Sequence, residues 1–110
     1  MYGGGTTKKD YTFVDDILQG VLASMQKLHG FEVMNLEESN TILLKSIISC
    51  LEEKMGKKAI IQRLPEQPGD VILTNVDISK ARSILAYNPS VSVKNRLSVF
   101  VKWFLQRETL

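Results

Sequence analysis

A chain of 110 residues holds one domain or part of one, and 44% hydrophobic with 24% charged residues is the balance of a soluble globular protein. A net charge of +2, with the pairs Lys8-Lys9 and Lys57-Lys58 not interleaved with aromatics, argues against nucleic acid. The single cysteine, Cys50, excludes an internal disulfide framework or metal cluster, and no apolar run is long enough for a membrane span.

In chain order, the glycine-rich start, Met1 to Lys9, has no apolar core and so cannot be a secretory signal. Val14, Ile17, Leu18, Val21, Leu22, Met25 and Leu28 recur at i, i+3 and i+4 and predict an amphipathic helix. Gly30 fits the left-handed residue that ends it. Residues 31–36 read as a short strand, with Phe31, Val33 and Asn35 on one face. Ser39, Asn40 and Thr41 offer N-cap oxygens to a second helix. Its apolar positions are Leu43, Leu44, Ile47, Ile48, Leu51 and Met55, and Gly56 closes it. Cys50, within that pattern, reads as a buried, inert thiol in a reducing cytosol.

Residues 58–63 contain Ala59-Ile60-Ile61 and read as a strand stopped by Pro65 and Pro68. Residues 71–76 form another extended stretch. Asp77 is placed to cap a brief helix over 78–85. Asn88-Pro89 breaks the chain, and Ser92 caps a last helix with Val93, Leu97, Phe100, Val101 and Phe104 on one face. Lys94, Lys102 and Arg107 lie away from it. The pattern is α+β, with four helices and two or three short strands.

Few residues carry chemistry by themselves. Gly3-Gly4-Gly5-Thr6-Thr7-Lys8 lacks the preceding strand and the Gly-Lys-Ser/Thr opening a helix that a phosphate-cradling loop needs. Nor is there a Gly-x-Gly-x-x-Gly dinucleotide fingerprint. His29, the only histidine, sits beside Gly30, where a cation suits the helix dipole better than it suits base chemistry. Asp15-Asp16 near the first helix start reads as dipole complementation. No metal site is expected.

Residues 64–87 run Leu-Pro-Glu-Gln-Pro-Gly-Asp-Val-Ile-Leu-Thr-Asn-Val-Asp-Ile-Ser-Lys-Ala-Arg-Ser-Ile-Leu-Ala-Tyr. The run resembles the substrate-domain signature of nucleotide-sugar epimerases and dehydratases of the extended short-chain dehydrogenase/reductase family, UDP-glucuronate 4-epimerases above all. Gly3 to Asp16 is similar to the family's Gly-x-Gly-x-x-x-Arg-Asp-(aromatic)-x-Tyr-Val-Asp-Asp. Residues 31–36 resemble its Tyr-x-x-x-Asn-Leu-Gly strand. Leu85-Ala86-Tyr87-Asn88-Pro89 is similar to its Leu-Gly-Tyr-x-Pro, and 99–104 to its terminal helix. Five motifs in the family's order cover essentially the whole chain.

The resemblance implies the C-terminal, substrate-binding portion of an extended fold, without the nucleotide-binding half. Residues 1–38 would dock on the absent sheet, and 39–110 would form the substrate-binding subdomain. It implies a fragment or truncated homologue of a UDP-glucuronate/UDP-glucose 4-epimerase, silent alone; with neither secretory signal nor membrane span, the chain is expected in the cytoplasm. The parent reaction oxidises the sugar at C4 with NAD, turns the keto-sugar, and reduces it from the other face. The family's catalytic Tyr-x-x-x-Lys is missing: Tyr2, Tyr11 and Tyr87 are followed four residues on by Thr6, Asp15 and Val91. No catalytic or cofactor-binding residue is therefore assigned.

Carried over by position, Lys9 takes the place of an arginine that pairs with the UDP diphosphate, and keeps its charge without the bidentate fork. Gln67 stands where many 4-epimerases have a second arginine, and the glucuronate enzymes have Gln. Asp70 matches intact, although Pro68-Gly69-Asp70 without the resemblance is simply a turn. Glu37 and Ala86 replace family glycines; if those serve positive φ, each replacement costs about 1 kcal/mol or somewhat more. A UDP-sugar is expected to bind weakly if at all. Self-association, or a protein partner, is expected through 31–36 and the first helix. The alternatives are a non-catalytic nucleotide-sugar- or protein-binding module, and a piece that complements a separate NAD-binding domain.

Overall fold

The computed structural model describes residues 1–27, 30–69 and 71–108. Its elements in order are β1 (Lys8–Asp10), α1 (Val14–Lys27), β2 (Thr41–Leu43), α2 (Leu44–Met55), α3 (Ser79–Leu85) and α4 (Val93–Glu108). The class is the expected α+β. β1 and β2 pair antiparallel, with Lys9 opposite Ile42. Two isolated parallel bridges, Tyr2 to Leu64 and Lys8 to Leu73, lay the first ten residues along the 62–74 segment.

The helices associate in two pairs, α1 with α3 and α2 with α4. Ile78, Ala81, Leu85 and Tyr87 form the buried centre of the first pair, with Ala23, Met34, Leu36 and Val76 packed against it. Gly20 lets Leu36 approach: a Cβ there would stand 2.6 Å from a Leu36 methyl. The second pair buries Ile47 and Val101. Both centres are small, and the polar cluster described below joins them.

The helix ends show what the sequence encodes locally. Ser92 Oγ accepts from Asn95 N at 3.3 Å, as a capping serine should. Asp77 Oδ1 accepts from Ser79 N at 2.8 Å, and that donor holds its carboxyl below the usual range. Gly56 closes α2 at φ 63. Gly30 has φ 92, while Leu28 and His29, expected to finish α1, lie outside the described residues.

Several expectations are corrected. Ser39, Asn40 and Thr41 do not cap α2, which has no side-chain cap. Instead Thr7 O and Gly5 O accept from Leu44 N and Lys45 N at 3.0 and 3.1 Å. The orphan donors of the helix start are thus met by backbone from far away in sequence, and Thr41 is free to enter a strand. Residues 31–36 and 58–63 are not strands: neither has a neighbouring strand to pair with, and Phe31 and Ile60 lie in solvent. The 71–76 stretch contributes only the bridge at Leu73. Cys50 is half-buried rather than buried. Ala86 does sit at φ 55, so its methyl carries the expected cost; Glu37 does not have positive φ, whereas Ser39 does, at 57°.

Candidate functional site

The parallel bridges build a cleft. Gly3 N donates to Leu64 O at 2.9 Å, Lys8 N to Ile72 O at 2.8 Å, and Thr74 N to Lys8 O at 3.1 Å. Between the two segments lies a cavity of about 100 Å³ lined by Tyr2, Gly3, Gly4, Thr6, Thr7, Glu66, Gln67 and Ile72. Gly3 has φ 62, and a Cβ there would stand 3.0 Å from Glu66 Cγ, so glycine is needed both for the backbone bend and for the close approach.

Of the residues expected to bind a ligand, Gln67 lines this cavity. Lys9 is half-buried at the middle of β1, beyond Thr7, and is not one of the lining residues. Asp70 lies outside the described residues. Tyr2, Thr6, Thr7 and Glu66 were given no binding role from the sequence. Their signal is non-local, because backbone pairing over some sixty positions brings them together.

Behind the strands sits the cluster that fixes them. Arg96 of α4 is buried and donates through Nη2 to Asp16 Oδ2 at 2.8 Å and to Glu38 Oε1. Its Nη1 donates to Tyr11 O at 3.3 Å, and its guanidinium stands 6.0 Å from the centre of the Phe13 ring. Asp16 also accepts from Ser90 N at 3.4 Å. Its role is therefore an ion pair, in addition to any favourable placement at the α1 start. Asp10 accepts from Asn40 N at 3.3 Å and from Thr12 Oγ1 at 3.5 Å, tying the end of β1 to the approach to β2. Arg96 was detectable: it falls within the spacing Val93, Leu97, Phe100, a charge on an apolar face.

Burial lowers the Arg96 guanidinium from its ordinary value, against the pull of Asp16 and Asp10. Burial also raises the Tyr87 phenol, helped by Asp16, Asp10 and Glu37. The Tyr87 hydroxyl has no hydrogen-bond partner among the described residues. Glu37 is raised too, by burial first and by Asp10 second.

A group raised in the folded state adds stability below its unfolded value and loses it as pH climbs through the folded value. Glu37→Gln is therefore expected to remove a stabilisation that wild type gains on acidification through the pH range just above 4.5. Parallel melting series of the two chains check this. Identical slopes would show that Glu37 is not coupled to folding.

Among the described residues, no group of three or more His, Cys, Asp or Glu side chains could hold a metal ion, and no helix is long and apolar enough to cross a membrane. The glycine-rich stretch leads into β1 and not into a helix, so among these residues no strand–turn–helix cradles a dinucleotide pyrophosphate.

No protein-family model matches the chain. It is 39% identical, over 94% of its residues and 32% of the relative's, to the UDP-glucuronate 4-epimerase of Thermodesulfobacterium geofontis. A crystal structure of UDP-glucuronic acid 4-epimerase from Bacillus cereus, with UDP-glucuronic acid and NAD, superposes at TM-score 0.90 and 33% identity over 97% of this chain and 35% of that one. The UDP-glucose 4-epimerase of Thermotoga maritima, with UDP-glucose, gives 0.90 at 28% identity over 98% and 35%. The chain thus spans about a third of the length of the relatives it matches.

Proposed function

From a chain that corresponds to a C-terminal part of the UDP-glucuronate/UDP-glucose 4-epimerase family, we propose the nucleotide-sugar-binding side of such an enzyme. The observation that carries this reading is the cleft in which residues 2–7, leading into β1, lie beside the Gln67 loop. Lys9, on β1 outside the lining, is assigned as a cation for the diphosphate by the family pattern, and in the cleft Gln67 offers an amide donor and acceptor. Asp70 is assigned to the same loop by the family pattern. Taking hydride from the sugar C4 needs a nicotinamide and a base for the hydroxyl proton, which this chain does not supply. By themselves, the 110 residues are catalytically silent. A lone thiol accords with a reducing, cytoplasmic setting.

A second feature bears on partners. The chain exposes 8112 Å², about 2,000 Å² more than a compact monomer of its size. Its radius of gyration is 16.8 Å, where about 13 Å is usual for this length. The uncovered side includes the α1 stripe of Val14, Leu18, Val21, Leu22 and Met25, together with Phe31 and Val33. This surface suits an NAD-binding portion, whether in the same polypeptide or separate. Where that portion is absent, it suits a second copy.

Titration with UDP, UDP-glucuronate and NAD, read by amide NMR, tests the binding role. UDP is expected to perturb residues 1–10 and 62–74, with a Kd of about 1 mM or weaker. Lys9→Ala should weaken it further, by up to about fivefold for one partly exposed ion pair. UDP binding indifferent to Lys9→Ala removes Lys9 from the site, and micromolar NAD affinity overturns the reading.

A further inference from the structure

A second cavity, of about 230 Å³, lies where the segment after β1 meets α2 and α4. It shares no lining residue with the cleft at the Gln67 loop. Phe13, Ile47, Val93, Leu97 and Phe100 give it an apolar wall, and Arg96 is its one charged residue. An apolar cavity of about 150 Å³ takes a benzene ring, and drug-sized ligands need about 300–1,000 Å³. The space here suits one six-membered ring with a short substituent.

Arg96 supplies the polar element. Its side chain is 6% exposed. Nη1 and Nη2 donate to Tyr11 O, Asp16 and Glu38, but the buried Nε has no acceptor among the described residues. A buried donor without an acceptor is costly, and such groups are rare in folded proteins.

The missing acceptor has to be neutral. One buried guanidinium already faces two buried carboxylates, those of Asp16 and Glu38. The cluster therefore has a surplus negative charge, and a further anion would be repelled where screening is poor. A carbonyl oxygen accepts without bringing charge. Because Nε is closed to water, an oxygen reaches it only when the wall yields, and a ring pressed among Phe13, Leu97 and Phe100 moves that wall.

We propose that this cavity binds a small neutral ring compound bearing one carbonyl oxygen, with the ring among Phe13, Leu97 and Phe100 and the oxygen accepting from Arg96 Nε. The site is independent of the nucleotide-sugar reading. Its ligand touches the residue that joins the two helix pairs, so occupancy also raises the melting temperature.

Acetophenone, ethylbenzene and benzoate share a ring and a size and differ in the substituent. Each is titrated into the labelled 110-residue chain and read by NMR of the amides and of the arginine Nε–H signals. Acetophenone is expected to shift amides in 11–13, 47 and 93–100 and to move the Arg96 Nε–H, with a Kd on the order of 1 mM. Ethylbenzene should shift the same amides and leave the Nε–H in place. Benzoate should bind at least about tenfold more weakly than acetophenone. Leu97→Phe fills the cavity with the protein's own ring and should weaken acetophenone about tenfold or more. Leu97 is half-buried, so circular dichroism checks that the variant folds, and Val93→Phe is a second way to fill the space.

Amide shifts without movement of the Nε–H overturn the carbonyl contact. Benzoate binding as tight as acetophenone overturns the requirement for a neutral ligand. Affinity that survives both filling variants, or no shift with any of the three probes, overturns the site itself. UDP shifts in 1–10 and 62–74 should be the same in Leu97→Phe as in wild type, so failure here leaves the nucleotide-sugar reading standing.

Discussion

Arg96→Ala is expected to cost about 3–5 kcal/mol, because it strands the carboxylates of Asp16 and Glu38 without their buried cation. A domain of this size has only about 5–15 kcal/mol in total. Arg96 also joins the two helix pairs, since it stands on α4, Asp16 on α1, and Tyr11 and Glu38 flank the two strands. The hydrophobic centres on either side are too small to hold each other in register alone. Urea melts followed by circular dichroism should show the Arg96→Ala midpoint shifted well below that of wild type. Arg96→Lys should fall between, keeping the charge but losing the fork that reaches three acceptors.

Replacing Arg96, Asp16 and Glu38 together by apolar residues of similar volume should recover most of the loss, since the cost lies in the unpaired charges and not in the absence of an ion pair. An Arg96→Ala chain melting within about 0.5 kcal/mol of wild type would sit among ordinary surface substitutions. The cluster would then not be what joins the halves.

Purified wild type is expected to self-associate as its concentration rises, through α1 and the 31–36 stretch. Met25 is 77% exposed and Phe31 91% exposed, although one belongs to a helix stripe and the other to a motif the family resemblance singles out. The excess area of about 2,000 Å² is on the scale of obligate interfaces, which bury about 2,000–5,000 Å² in total. Leu22→Lys combined with Val33→Lys should shift light scattering to the monomer mass while leaving the melt little changed, because both side chains already lie in solvent. A monodisperse wild type at high concentration would show that this face needs no cover. The expected edge-strand template is not part of the mechanism, since 31–36 is not a strand; exposed side chains drive the association.

Local physics made the helices readable. Apolar spacing predicted α1, α2 and α4, and Asp77 marked α3 although Ile78 is its N-cap; Ser92 and Gly56 act at helix ends because a cap depends on residues within one turn. The strands failed the same treatment. Ile60 and Ile61 have strand propensity, yet a strand exists only where another backbone lies alongside, and none does there. Conversely, Lys8, Lys9 and Asp10 have little propensity and became β1, because Thr41 to Leu43 lies opposite and Leu73 beside it.

Gln67 was legible only by resemblance, as was Lys9, and nothing local would have joined either to Tyr2 or Glu66. The sequence by itself determined the helices, the helix ends at Ser92 and Gly56, the α+β class and the ancestry. All of these rest on spacings of a few residues or on ordered motifs. Only the tertiary structure decided the strand pairing, the Glu66-lined cavity and the burial of Arg96 between Asp16 and Glu38. Each of these needs groups far apart in sequence to meet, and the ion cluster is tolerated in the interior only because its partners arrive together.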